Sequence, residues 1–181
     1  LYDVPVIADS TFSILNRKTF YVEDILVNKG KGRNIGIDIT LEKYLSRGLY
    51  YMITASFFDS KYRGGDGKWY DTRFNRNYIA NFLIGKEWMV GNKKQNMLSV
   101  NLKFTYQGGD RHSPIDMVAT NNHPDKEVQY DETKPFSEQY PSMFIVNASA
   151  GFKMNKRKVS HEFAVKTINT PGTKDYYGHG Y

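Results

Sequence analysis

With 181 residues, 40% of them hydrophobic, the chain is long enough for one ordinary domain. It has no cysteine, which excludes disulfides, thiolate metal sites and a thiol nucleophile. The formal charge of +6 is spread over loops and turns, densest at Lys93-Lys94 and Lys156-Arg157-Lys158, and lacks the clustered stripe that nucleic-acid binding needs.

No apolar run approaches the roughly 20 residues of a membrane helix, but barrel strands hide their hydrophobicity in alternation. Aromatics are 15% of the chain, an excess that fits membrane-interface girdles, where an apolar ring carries a polar tip. The chain begins at Leu1 without a signal-peptide pattern and is expected to be an internal piece of a longer polypeptide.

In chain order, Leu1 to Ile7 reads as a strand end, with Pro5 tolerable at an edge. Ser13 to Asn28 has apolar clusters without a period. The first clear strand is predicted at about 33–44, setting Ile35, Ile37, Ile39 and Leu41 against Gly36, Asp38, Thr40 and Glu42. A strand sends successive side chains to opposite faces, so this stretch makes one apolar and one polar surface. A tight turn at Leu45-Ser46-Arg47-Gly48 leads to a strand at about 49–62 whose second face is mixed. A loop holding Gly64, Gly65, Asp66, Gly67, Trp69 and Arg73 follows. The next strand, about 77–90, is apolar on the face of Tyr78, Ala80, Phe82, Ile84 and Trp88, with Lys86 as an exception.

Gly91 to Gln95 turn the chain into the cleanest strand, about 96–107, where Leu98, Val100, Leu102, Phe104 and Tyr106 oppose Ser99, Asn101, Lys103, Thr105 and Gln107. The longest connection, about 108–141, carries Pro114, Pro124, Pro135 and Pro141; a loop of that length is usually functional or disordered. Phe144, Val146, Ala148, Ala150 and Phe152 mark the next strand. A turn at Asn155 to Lys158 and a strand at about 159–169 complete the pattern, and 170–181 is rich in Gly and Tyr.

Short and long connections therefore alternate, with turns at one end and loops at the other. That rhythm predicts an all-β, antiparallel up-and-down meander of about seven strands and argues against Greek-key crossings. Aromatics end the apolar faces at both levels. Trp88 and Phe152 lie near the turns; Phe57, Tyr78, Tyr106 and Phe144 lie near the loops. Two such levels would match the ~25 Å apolar band of an outer-membrane barrel.

Several runs carry a family resemblance. Gly36 to Lys43, Leu49-Tyr50-Tyr51, Thr54-Ala55-Ser56, Phe58 to Tyr62, Thr72 to Asn75, Gly85-Lys86-Glu87, Thr105 to Gly109 and Ser160-His161-Glu162 resemble the barrel of TonB-dependent receptors, the Bacteroidetes branch in particular. The resemblance covers most of 33–169. It implies a transmembrane barrel of about 22 strands, of which residues 1–181 form part, with the plug domain and the other strands absent. It implies a Gram-negative outer-membrane location with loops extracellular and turns periplasmic. Its expected partners are the lipid bilayer, the rest of the barrel with its plug, TonB through a segment outside this chain, and a scarce or large nutrient as ligand. No cofactor or bond chemistry is implied.

The residues offer little for catalysis. Ser160 and His161 are adjacent and leave opposite faces of a strand, so they form no nucleophile–base pair. His112 and His123 share the long loop with Asp110, Asp116 and Asp125 without a metal-ligand spacing; a solvated polar loop is the better reading. Gly64-Gly65-Asp66-Gly67 reads as a turn, because no helix follows to cradle a phosphate. Asp38, Glu42, Asn81, Asn101, Lys103, Asn147 and Lys166 are expected to hydrate the lumen wall. Direct ligand contact is expected in the loops, through Trp69, Tyr70, Arg73, Arg111 and His112. Two other readings stay open: a small self-contained β-barrel that binds an apolar ligand and reverses the faces, and an outer-membrane enzyme.

Overall fold

The computed structural model describes residues 1–17, 22–125 and 127–173. Among them lie ten strands: β1 (Val4–Ile7), β2 (Leu26–Ser46), β3 (Leu49–Arg63), β4 (Trp69–Asp71), β5 (Tyr78–Val90), β6 (Asn96–Gln107), β7 (Arg111–His112), β8 (Glu138–Gln139), β9 (Met143–Asn155) and β10 (Ser160–Thr167). Helix among the described residues is confined to α1 (Met117–Asn122) and a single 3₁₀ turn at Ile14–Asn16. The main sheet runs in the order β1-β2-β3-β5-β6-β9-β10, every pair antiparallel, with β4 attached to the end of β3. It is the expected meander of about seven strands. The sheet is not closed: among the described residues, β10 and the long stretch of β2 beyond β1 leave free edges.

The predicted 96–107 strand coincides with β6, and most other boundaries shift by one or two residues. The exception is β2, which starts at Leu26 instead of about 33 because Leu26 to Gly30 pair with β1. Leu1 to Ile7 does hold a strand, and Pro5 sits in it on the edge strand, beside a register irregularity between Val4 and Pro5, the places where proline is tolerated in a sheet. Arg47 and Gly48 both take positive φ, 51° and 73°, which closes the β2–β3 hairpin through a mirror-image turn matched to strand twist. The long connection is ordered by α1, by the β7–β8 pair and by a bridge between Ile115 and Tyr130. Residues 174–181 of the Gly- and Tyr-rich end lie outside the described residues.

Register makes the two surfaces continuous. Ile37 opposes Phe57 and Phe57 opposes Tyr78; Phe82 opposes Phe104 and Phe104 opposes Val146; Leu98 opposes Phe152 and Phe152 opposes Phe163. One apolar face thus crosses six strands, and it is exposed, with Ile37 at 68% and Val165 at 71%. The other face carries hydrogen-bonded polar ladders. Thr105 donates to Asn81, Asn81 donates to Thr54, and Asn101 donates to Ser149. Among the described residues the buried hydrophobic side chains are few: Val4, Val6, Tyr62 and Met143. A compact chain of 20.9 kDa would expose roughly 9,000 Å²; this one exposes 12854 Å².

Candidate functional site

At the loop end, the segments outside the meander fold over the polar face. Tyr62 belongs to that face, opposite Gly32, and is fully buried. Its hydroxyl donates to the Thr11 carbonyl at 2.9 Å, which brings residues 8–17 across it. Gly64 and Gly65 permit this approach, since a Cβ on Gly65 would meet the Ile7 carbonyl oxygen. Asn16 continues the crossing and accepts from the Arg73 backbone N–H at 2.9 Å. The long connection packs on the same assembly: Thr11 donates to the Glu132 carbonyl, and Phe136 meets the Tyr62 ring edge-on at 6.3 Å.

A cavity of about 920 Å³ opens between these segments. Phe12, Tyr62, Tyr130, Phe136 and Tyr140 supply aromatic wall; Arg73, Arg111 and His112 supply cationic and polar groups; Asp110, Glu23 and Glu132 supply acids. Three of the five residues expected at a ligand site therefore meet here: Arg73, Arg111 and His112. Trp69 and Tyr70 do not. Trp69 is turned to the outer side, under the Arg33 guanidinium at 5.5 Å. Tyr70 lies behind Tyr62, ring centroids 5.7 Å apart, and donates to Asp66 at 2.5 Å. Burial, and then the Asp66 carboxylate that accepts its proton, push the Tyr70 phenol up to about 12.

The cationic groups differ in freedom. Arg111 is held by the Asn75 carbonyl and the Asn77 side chain, each at 3.1 Å, and by Asp71 at 3.5 Å. Beside it, Arg76 pairs with Asp110 at 2.6 Å. Asn75, itself fully buried, organises this corner: its amide donates to Asp59 and Asp71, and its oxygen accepts from the Ser60 N–H. Both arginines are therefore structural. His112 stacks on Tyr140 with centroids 4.2 Å apart and lies 3.8 Å from Glu138. Burial, and then the nearby Tyr130, push the Tyr140 phenol up. The Arg73 guanidinium has no hydrogen-bond or ion-pair partner among the described residues, and the buried Asn16 amide nitrogen has none either.

Sequence reading missed the contribution of residues 8–17, whose apolar clusters follow no period. It also missed Asn75 and Asp110 as organisers, although the run Asp71 to Asn77 is dense in Asp, Asn and Arg. Among the described residues no group of His, Asp and Glu is placed to hold a metal ion. No family model matches the chain, and no curated protein or solved structure matches it.

Proposed function

We propose that the chain is part of the transmembrane barrel of an outer-membrane receptor of the TonB-dependent kind, which binds and imports a scarce or large nutrient. One observation carries the reading. Among the described residues, both segments 8–17 and the long connection fold onto the polar face, and the apolar face of six strands is left exposed. A soluble protein covers such a face, whereas lipid is its natural solvent. From Leu98 to Tyr106 the stripe on β6 runs eight residues, roughly 27 Å of strand at about 3.4 Å each, on the scale of the ~25 Å band. The free edges of β2 and β10 are where further strands of a barrel of about 22 would pair, since bare edges invite association. In this reading the short turns face the periplasm and the loop-end cavity faces outward, where Arg73 and His112 meet the nutrient. TonB and the plug act through parts of the polypeptide other than these strands.

The cysteine-free sequence gives a direct test. In the natural gene product, Leu102→Cys should be shielded from a water-soluble maleimide in isolated outer membranes, and Lys103→Cys should react. The protein should also fractionate with the outer membrane and crosslink to TonB. Equal labelling of the two cysteines, or recovery in the soluble fraction, ends the reading.

A further inference from the structure

Basic residues that look scattered in the sequence are gathered by strand register. Along the apolar-side face of β2 the order is Lys29, Lys31, Arg33, then Ile35, Ile37, Ile39 and Leu41. On β3 the same face reads Arg63, Lys61, Asp59, then Phe57. Lys31 stands directly opposite Arg63, and Arg33 opposite Lys61. Like charges facing each other across a strand pair are destabilising, so two consecutive pairs of this kind want an anion between them.

The protein supplies little of that anion. Asp59 is shared at long range, 3.8 Å from Arg33 and 4.0 Å from Lys61. Asp71, opposite Lys61, is engaged by Asn75 and Arg111. Arg63 gives one N–H to the Gly67 carbonyl, Arg33 lies over Trp69, and Lys31 lies over Tyr2, contacts that position the cations without neutralising them. The patch is local. Tyr78, Tyr106 and Phe144 end the apolar stripes of β5, β6 and β9 below it, Tyr78 standing opposite Phe57, four residues short of Lys61.

We propose that Lys31, Arg33, Lys61 and Arg63 bind the phosphate-bearing headgroup of a lipid in the outer leaflet, with its acyl chains along Ile35, Ile37 and Phe57 below. The inference rests on the membrane-barrel reading and goes beyond it by naming the lipid chemistry. The cations begin directly above the end of the apolar stripe, the level at which a lipid phosphate sits while its chains follow the stripe. Arginine and lysine together suit this task, the first by forked hydrogen bonding and the second as a point charge. A soluble anion would match the charge but has no use for the apolar stripe that continues from the patch.

The test uses the natural gene product reconstituted in phosphatidylcholine vesicles. These are doped either with a doubly phosphorylated glucosamine-disaccharide lipid or with the same lipid after removal of its phosphates. Wild type should prefer the phosphorylated lipid, read by energy transfer from Trp69 to a labelled acyl chain. Arg33→Gln with Lys61→Gln should cut that preference roughly ten- to thirtyfold. Lys93→Gln with Lys94→Gln, at the opposite end, should leave it unchanged. An inserted protein with no preference, or one whose preference survives the Arg33/Lys61 pair, overturns the lipid site and leaves the barrel reading standing. Competition by inorganic phosphate as strong as by the lipid overturns it in favour of a soluble anion. Failure to insert at all overturns both.

Discussion

Tyr50 on β3 reaches across an intervening strand to donate its hydroxyl to Asn101 on β6, at 2.5 Å. The bond is possible because the residue between them on β5 is Gly85. A Cβ there would fall inside normal contact with the Tyr50 ring and hydroxyl and with the Asn101 oxygen. Asn101 passes the link on to Ser149 of β9, so one polar ladder spans four strands.

The Tyr50–Asn101 bond therefore depends on an absent side chain. Tyr50→Phe should cost about 0.5–1.5 kcal/mol in the natural background. In a Gly85→Ala background it should cost almost nothing, because the methyl has already displaced the ring. The net effect of Gly85→Ala alone is a poor readout, since alanine relieves the glycine penalty of a strand interior. The informative quantity is the coupling in a double-mutant cycle from denaturant unfolding in lipid. Additive costs would mean that the two strands are not bridged this way.

Arg111 and Arg73 give a paired prediction within one cavity. Removing Arg111 leaves the Asp71 carboxylate, the Asn75 carbonyl and the Asn77 amide oxygen without their shared donor. Arg111→Ala should destabilise the loop-end assembly by roughly 1–3 kcal/mol, the cost of half-buried groups left unpaired. It should appear as faster hydrogen exchange in 108–112 and readier proteolysis of the long connection. Arg73→Ala removes a guanidinium that makes no hydrogen bond or ion pair among the described residues and interacts electrostatically with the Tyr140 phenol; it should leave both readouts unchanged while weakening binding of the proposed nutrient. Equal loosening by both variants would assign Arg73 a structural role.

These contrasts show what the sequence could and could not convey. Strand positions were legible because alternation is local: Leu98 to Tyr106 records which side is apolar without reference to any other segment. That the long loops gather at one end was legible from the short–long rhythm. Partnership within the loops was not. Arg73, Arg76 and Arg111 look alike in a sequence, and only the fold gives Asp110 to Arg76 and Asp71 to Arg111 while leaving Arg73 open. The basic patch needed register as well, because Arg33 and Lys61 lie far apart in the chain and become opposite through the β2–β3 pairing.

The Tyr70 phenol should ionise late. Its value is raised from 10.0 to about 12, by burial first and then by the Asp66 carboxylate that accepts its proton. Because the folded value lies above the unfolded one, the neutral phenol adds stability that is complete below pH 10. That contribution declines as pH rises from 10 toward 12. Subtracting the 295 nm titration of Tyr70→Phe from that of the natural protein isolates this group. Asp66→Asn should bring the midpoint back toward 10. A midpoint near 10 in the natural protein would show that the Tyr70–Asp66 bond does not form in solution.

Leu102 and Lys103 put the membrane reading to its sharpest energetic test. They are neighbours in sequence, so they leave opposite faces of β6. Leu102 stands between Ile84 and Ala148 in the middle of the apolar stripe, and Lys103 stands between Leu83 and Asn147 on the polar side. Near a bilayer midplane, Leu102→Arg should cost about 2–4 kcal/mol in refolding into vesicles, with the largest penalty at mid-stripe and smaller ones toward Leu98 and Tyr106. Lys103→Ala removes a charge from a hydrated wall and should change stability by less than about 0.5 kcal/mol. A soluble barrel with the apolar side inward would also penalise Leu102→Arg, so the depth profile decides. In lipid the cost follows distance from the midplane and shrinks when the vesicle bilayer is thinned. In a packed interior it follows local burial and ignores the lipid. A flat profile that does not respond to bilayer thickness would remove the apolar stripe from the membrane.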